Sequence, residues 1–183
     1  YHRNKFVKRG FDLCIDIWGA DHHGHVARMK GAMEALGLDS SKLDVILMQL
    51  VRLTQNGEVV RMSKRTGKAI QLGDLLDEVP VDSARFLFNM REANSQMEFD
   101  LDLAVKQDSQ NPVYYVQYAR ARICSILKAL AADGITPYPC TDEELRLLTA
   151  PAELELIRHL SAYTSEIIEA AKDYDPARIT RYV

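Results

Sequence analysis

The stretch Leu13-Cys14-Ile15-Asp16-Ile17-Trp18-Gly19-Ala20-Asp21-His22-His23-Gly24-His25-Val26 decides how the chain is read. Leu13, Ile15 and Ile17 alternate with other residues between Phe11 and Trp18, the two-residue period of a strand. Gly19-Ala20-Asp21 ends that period. Val26, Met29, Met33 and Leu36 then recur at helical spacing, which predicts a helix over about 24–36 with Gly37 as its stop. Strand, glycine turn and helix together form the repeating unit of α/β nucleotide-binding folds, whose ligands lie beyond the strand's carboxyl end.

Working outward, Val45 to Leu53 is a mostly apolar stretch, interrupted by Gln49 and Arg52, expected to be a second strand. Asn56-Gly57 before Val59-Val60 is a hairpin signal, because both turn positions need the left-handed backbone that Asn and Gly tolerate. A short helix is expected from Leu72-Gly73-Asp74. Val81-Asp82-Ser83 is the expected N-cap of another helix carrying Ala84, Phe86, Leu87 and Met90. The character changes after about Asp102. Val116, Ala119, Ile123, Ile126, Leu127 and Leu130 follow helical spacing up to Asp133-Gly134. Thr141-Asp142-Glu143-Glu144 has the form of a capping box. Pro151 starts a helix expected to hold Leu154, Ile157, Leu160, Ile167 and Ile168, and Asp175-Pro176 opens one that reaches Val183. The expected fold class is α/β and then all-α, divided at 1–105 and 106–183.

Bulk properties narrow the function classes. Charged residues are 27% of the 183 and interrupt every apolar run, so no membrane-spanning segment is expected. Cys14, Cys124 and Cys140 are an odd set without pairing-like spacing, which points to reduced thiols and a cytoplasmic location. A net charge of −3 excludes a globally basic nucleic-acid binder but leaves room for a local basic surface. The polar start, Tyr1-His2-Arg3-Asn4-Lys5 without Met, suggests an excised fragment.

The segment Arg61-Met62-Ser63-Lys64-Arg65-Thr66-Gly67-Lys68 concentrates four cations beside a hydroxyl and a glycine. Lys supplies a mobile point charge and Arg a planar fork of donors, the chemistry that meets phosphate oxygens. A basic surface turn would have the same composition. The cluster His22-His23-Gly24-His25 also permits several readings. A zinc site would need a further ligand, and no Cys or His partner stands out downstream, so no metal ligand is expected. Gly19-x-x-His22-x-Gly24-His25 also fits a nucleotidyltransferase pattern, with histidines at a helix N-terminus donating to phosphate. Asp21 could cap the helix, bind a substrate hydroxyl or cation, or do both.

Two motifs and their flanks carry a family resemblance. Arg61-Met62-Ser63-Lys64-Arg65 resembles the Lys-Met-Ser-Lys-Ser signature of class I aminoacyl-tRNA synthetases; it departs at Arg61 and Arg65 and matches the second lysine at Lys64. Trp18 to His25 resembles a motif of bacterial arginyl-tRNA synthetases. So do the run from Tyr1 to Asp12, the run Phe99-Asp100-Leu101-Asp102-Leu103-Ala104, and Asn111 to Arg122.

The resemblance implies the C-terminal part of a Rossmann-type catalytic domain over 1–105, followed by the truncated start of a helical anticodon-binding domain over 106–183. It implies arginine, ATP and tRNA(Arg) as partners, Mg2+ accompanying ATP with no protein ligand assigned, and a monomeric parent enzyme. Lys64, with Arg61 and Arg65, is the expected catalytic group. Gly19, Asp21, His22, His25, Met62, Ser63, Thr66 and Lys68 are expected at the nucleotide and substrate. Tyr118, Arg120 and Arg122 are expected on tRNA, since aromatic rings stack on unpaired bases and cations meet phosphates. A bundle core would equally account for the tyrosines, with their hydroxyls at its rim. The fragment alone is expected to be inactive. Two other classes stay in view: a nucleotidyltransferase nearly complete in this chain, and a non-catalytic module descended from a synthetase.

Overall fold

The computed structural model describes residues 1–60 and 71–183. All of the expectations placed on Arg61 to Lys68 fall outside those residues.

The opening stretch forms strand β1 (Cys14–Gly19), a short turn and helix α1 (His23–Ala35), followed by strand β2 (Leu43–Met48). β1 and β2 are parallel, in register from Cys14 opposite Leu43 to Gly19 opposite Met48. Cys14, Met33 and Leu43 are buried together, with Phe6, Met29, Leu38 and Val45 packed around them. Gly37 stops the helix as expected: its φ is +70°, and the Leu38 N–H closes on the Met33 carbonyl at 2.9 Å. Leu36 does not join the buried face. It follows the last helical residue and is 62% exposed, because the turn into Gly37 rotates it away from the helix's apolar stripe.

The apolar run 45–53 is two strands, not one. β2 ends at Met48, and β3 (Val51–Gln55) belongs to a second sheet of order β4-β3-β5. Between them Gln49 donates its N–H to the Ala93 carbonyl at 2.9 Å, which takes the chain out of the first sheet. β4 (Glu58–Val59) returns antiparallel around Asn56 and Gly57, with φ of 52° and 75°, as the hairpin signal predicts. β5 (Met97–Asp100) lies parallel to β3 and was not expected from the sequence. Helices α2 (Leu72–Glu78), α3 (Val81–Phe88) and α4 (Leu101–Val105) close over this sheet. Leu75, Val79, Leu87, Phe99, Leu101 and Val113 form its core, and the Phe88 ring stacks on Phe99 at 4.8 Å. Pro80, not the 81–83 triplet, caps α3. Ser83 is drawn into the core instead.

Beyond β5 every regular element is helical. Helix α5 (Pro112–Ala132) is capped by Asn111, whose side-chain oxygen accepts the Val113 N–H at 3.0 Å. Helix α6 (Asp142–Leu145) carries the expected capping box between Thr141 and Glu144. The single helix expected from Pro151 to Ile168 is broken into α7 (Pro151–Ser161) and α8 (Tyr163–Asp173). At the break the Ser161 hydroxyl donates to the Arg158 carbonyl at 2.7 Å, so a side chain competes with the backbone ladder. Helix α9 (Ala177–Tyr182) completes the chain.

Two contacts tie these last helices to the α/β part. The Tyr174 hydroxyl donates to the Asp44 carboxylate at 2.6 Å, and the Thr180 hydroxyl donates to the Asn89 carbonyl at 2.9 Å. No helix among the described residues is long and apolar enough to cross a membrane.

Candidate functional site

The carboxyl end of β1 delivers Gly19, Asp21, His22 and His25 to one place. Gly19 is extended (φ −61°, ψ 146°), and the chain turns sharply through Ala20–His22 before α1 begins. A Cβ on Gly19 would stand 2.5 Å from an Asp21 carboxylate oxygen, so a larger residue there would make the exposed Asp21 side chain move aside. Asp21 does not cap α1. His22 holds the cap position, without a side-chain bond, and the acid stays exposed.

His22 lies 3.7 Å from Asp21, and its ring centroid is 5.8 Å from that of His25. With Trp18 and Met29 these histidines line a shallow recess of about 370 Å³. The first turn of α1 carries no acid to repel an anion, although its first N–H, that of His23, is already taken by the Ala20 carbonyl. The space around Gly24 is open, so a ligand can approach the backbone closely. The arrangement offers a flat apolar floor, imidazole donors at the rim and one carboxylate. No three His, Cys, Asp or Glu side chains converge in a metal-holding group among the described residues.

Trp18 and Met29 were missed as site residues. The signal was present: Trp18 shares the face of β1 that carries Asp16, and Met29 lies one helical turn past His25. Another unexpected constellation sits at the start of the same strand. Asp16 accepts from Lys5 and from the His2 ring nitrogen, both at 2.8 Å, fastening the first helical turn (Asn4–Lys8) to β1. Burial opposes the Asp16 charge, but the bonds to Lys5 and His2 outweigh it and hold the carboxyl below its ordinary value. Burial likewise opposes the Lys5 charge, and the Asp16 bond outweighs it in the upward direction.

On α5 the structure joins some expected tRNA residues and separates another. The rings of Tyr114 and Tyr118 are stacked, with centroids 6.4 Å apart, and the Arg122 guanidinium sits 5.7 Å from the Tyr118 centroid. Within this chain the ladder is exposed, with Tyr118 49% accessible. Arg120 lies two positions from Tyr118, about 200° around the helix, and faces away from the ladder.

Cys14, Cys124 and Cys140 form no disulfide, with Cys14 buried and Cys140 exposed.

Comparison with known proteins places the whole arrangement. The chain is 58% identical over all 183 residues to the arginine–tRNA ligase of Ruminiclostridium cellulolyticum and 60% identical to that of Caldanaerobacter subterraneus subsp. tengcongensis. The similarity to these ligases runs over the whole length of the chain. It spans about a third of those relatives, 32% and 33% respectively. Residues 116–183 match the DALR anticodon binding domain family. The fold superposes with a TM-score of 0.80 on a protein from Campylobacter jejuni described as an arginyl-tRNA synthetase, at 34% identity over all of this chain and 39% of that one. Thermus thermophilus arginyl-tRNA synthetase shares the fold, with a TM-score of 0.67 at 19% identity over 93% of this chain and 31% of its own.

Proposed function

We propose that this chain is part of an arginine–tRNA ligase that activates arginine with ATP and transfers it to tRNA(Arg). Full-length similarity to arginine–tRNA ligases at 54% to 60% identity carries the reading. It favours a synthetase over a free-standing nucleotidyltransferase, although the Gly19 to His25 turn suits either. In this proposal residues 1–105 are the later part of a Rossmann-type catalytic domain. The parallel β1–α1–β2 unit is one of its repeats. Residues 106–183 begin the helical domain that meets the anticodon.

The chemistry assigned to each group follows from charge. The arginine carboxylate attacks the α-phosphorus of ATP, the bond to the bridging oxygen breaks, and pyrophosphate leaves. Negative charge grows on the leaving oxygens, so the Lys64 ammonium there favours the transition state over the ground state. Arg61, Arg65 and Lys68 add cations, and Met62, Ser63 and Thr66 line the same segment. Gly19, Asp21, His22 and His25, over Trp18 and Met29, hold the nucleotide and amino acid at the end of β1. A terminal ribose hydroxyl of tRNA(Arg) then attacks the activated carbonyl and AMP leaves. Mg2+ would travel with ATP, held by phosphates and water. On α5, the Tyr114–Tyr118–Arg122 ladder is a better tRNA surface than Arg120. A cytoplasmic, monomeric parent completes the reading.

The test is arginine-dependent ATP–pyrophosphate exchange by the full-length protein in the presence of tRNA(Arg). Lys64→Ala should lower its kcat by roughly 10²–10³, the usual cost of losing a transition-state donor. An unchanged rate would move the chemistry elsewhere, with Lys68 first in line. The 183-residue chain by itself should show no exchange.

A further inference from the structure

We propose that Asp16, held by Lys5 and His2, is a positioning residue for the recess at the end of β1, acting through Trp18. The inference rests on the function proposed above, which puts nucleotide and amino acid in that recess. Side chains two apart on a strand share a face, so Cys14, Asp16 and Trp18 lie in a row on one side of β1. The rise of a strand sets Asp16 about 7 Å behind Trp18, whose ring is half of the recess floor. Cys14, at the other end of the row, is buried with Met33 and Leu43, and Met29, the other half of the floor, packs on that same core. Asp16 stands between the core that fixes the strand and the floor of the recess.

The fastening at Asp16 is directional. Its two carboxylate oxygens accept separately, one from the Lys5 ammonium and one from the His2 ring, each at 2.8 Å. His2 and Lys5 reach it together because residues three apart lie on one helical face. Their turn is a wide one. The Arg9 N–H closes on the Asn4 carbonyl at 2.9 Å, a five-residue span that is rare in helices and recurs at functional sites. Phe6 of the same turn packs on the Cys14 core, so the turn is fixed to one face of β1 at two points. A well-packed apolar side chain in place of Asp16 would serve stability as well, because an ion pair at this depth loses much of its attraction to desolvation. What the charge and two hydrogen bonds add is a single orientation of the strand face. A misplacement of about 1 Å in a binding group can cost about a hundredfold in rate.

Trp18 is the one tryptophan in the 183 residues, so its fluorescence reports on the recess floor directly. In this chain Asp16→Ala should move the Trp18 emission to longer wavelength and raise its quenching by acrylamide, as the indole loosens toward water. Asp16→Asn should keep both close to wild type. Its oxygen accepts from Lys5, and its amide can donate to the neutral His2 ring in the other tautomer. Val79→Ala destabilises the other core and should leave Trp18 unmoved. In the full-length enzyme, Asp16→Ala should lower kcat/KM for arginine-dependent ATP–pyrophosphate exchange about tenfold or more, with Asp16→Asn restoring most of it.

A merely structural ion pair would lower the stability of Asp16→Ala and leave the Trp18 emission where it was, and that result overturns the inference. So does a shift as large in Asp16→Asn or in Val79→Ala, which would make Trp18 a reporter of general loosening. An unchanged kcat/KM for Asp16→Ala in an active enzyme overturns it too. Should Asp16→Ala fail to fold, His2→Phe keeps the Lys5 bond and drops the other. It should shift Trp18 in the same direction by less, and no shift would sink the proposal. A wild-type enzyme without arginine-dependent exchange would remove the function and leave the Trp18 measurement to decide the positioning.

Discussion

The part of the molecule up to Val113 and the helices after it have similar apolar content and opposite fates for it. In the first part Phe99, Val79, Leu43 and Met33 are essentially inaccessible, gathered under two small sheets. Among the described residues after Val113, the buried apolar side chains are Ala170 and Ala177 alone. Ile123, Ile126, Leu154, Ile157, Leu160 and Ile167 keep the spacing of buried helix faces, yet each is between 42% and 59% exposed. A periodic apolar stripe therefore shows that a helix has a face to bury, and says nothing of whether something covers it in the residues at hand.

If that contrast is right, stability should reside in the first part. Phe99→Ala should have the largest effect, a loss of about 3–5 kcal/mol measured by denaturant unfolding, because the ring is removed from a packed site against Phe88. Loss under 1 kcal/mol would mean the second core contributes little.

Asp16→Ala comes next, at about 1–3 kcal/mol, since it leaves Lys5 without its partner at low exposure. Its pH dependence has a definite sign. The Asp16 carboxyl is lowered from 3.8, so its stabilisation is present above that value and lost as pH falls below it. The Lys5 ammonium is raised from 10.5, so its share is present below that value and lost as pH climbs beyond it. The difference in Tm between wild type and variant should therefore be greatest at neutral pH and shrink at both extremes. A gap that does not shrink as the carboxyl is protonated would separate the effect from the ion pair.

Tyr174→Phe removes one of the bonds between the two parts and should raise amide exchange in α8 and α9 while leaving the β3–β5 core protected. The Asp44 bond raises the Tyr174 hydroxyl above its ordinary value of 10.0, so the wild-type link should weaken only above that pH. Uniform loosening of both parts would argue that they unfold as one. The smallest effect is expected from Ile126→Ala, within about 0.5 kcal/mol, because its side chain is already in water. A loss of 2 kcal/mol in the 183-residue chain would break the comparison outright.

The same contrast governs what was legible. The β1–α1 unit, the Asn56-Gly57 hairpin and the Thr141 capping box were read correctly because each depends on contacts within a few residues. The division of 45–53 into two strands was not, since an apolar run looks the same whether it stays in one sheet or passes between two. The reason for the switch, the Ala93 carbonyl that receives Gln49, lies 44 positions away. At the candidate site the cluster from Gly19 to His25 was visible as a motif. Its floor of Trp18 and Met29 required knowing that strand and helix faces meet.

The sequence by itself determined the local elements, the grouping of cations from Arg61 to Lys68, and the likeness to arginyl-tRNA synthetases. These rest on residue identity and short spacing. Only the tertiary structure decided that Asp21 stays off the helix cap, that Arg120 faces away from the tyrosine ladder, and that His2 and Lys5 meet at Asp16. Each of those depends on where distant backbone and side-chain groups come to rest, and a chain's spacing carries no record of that.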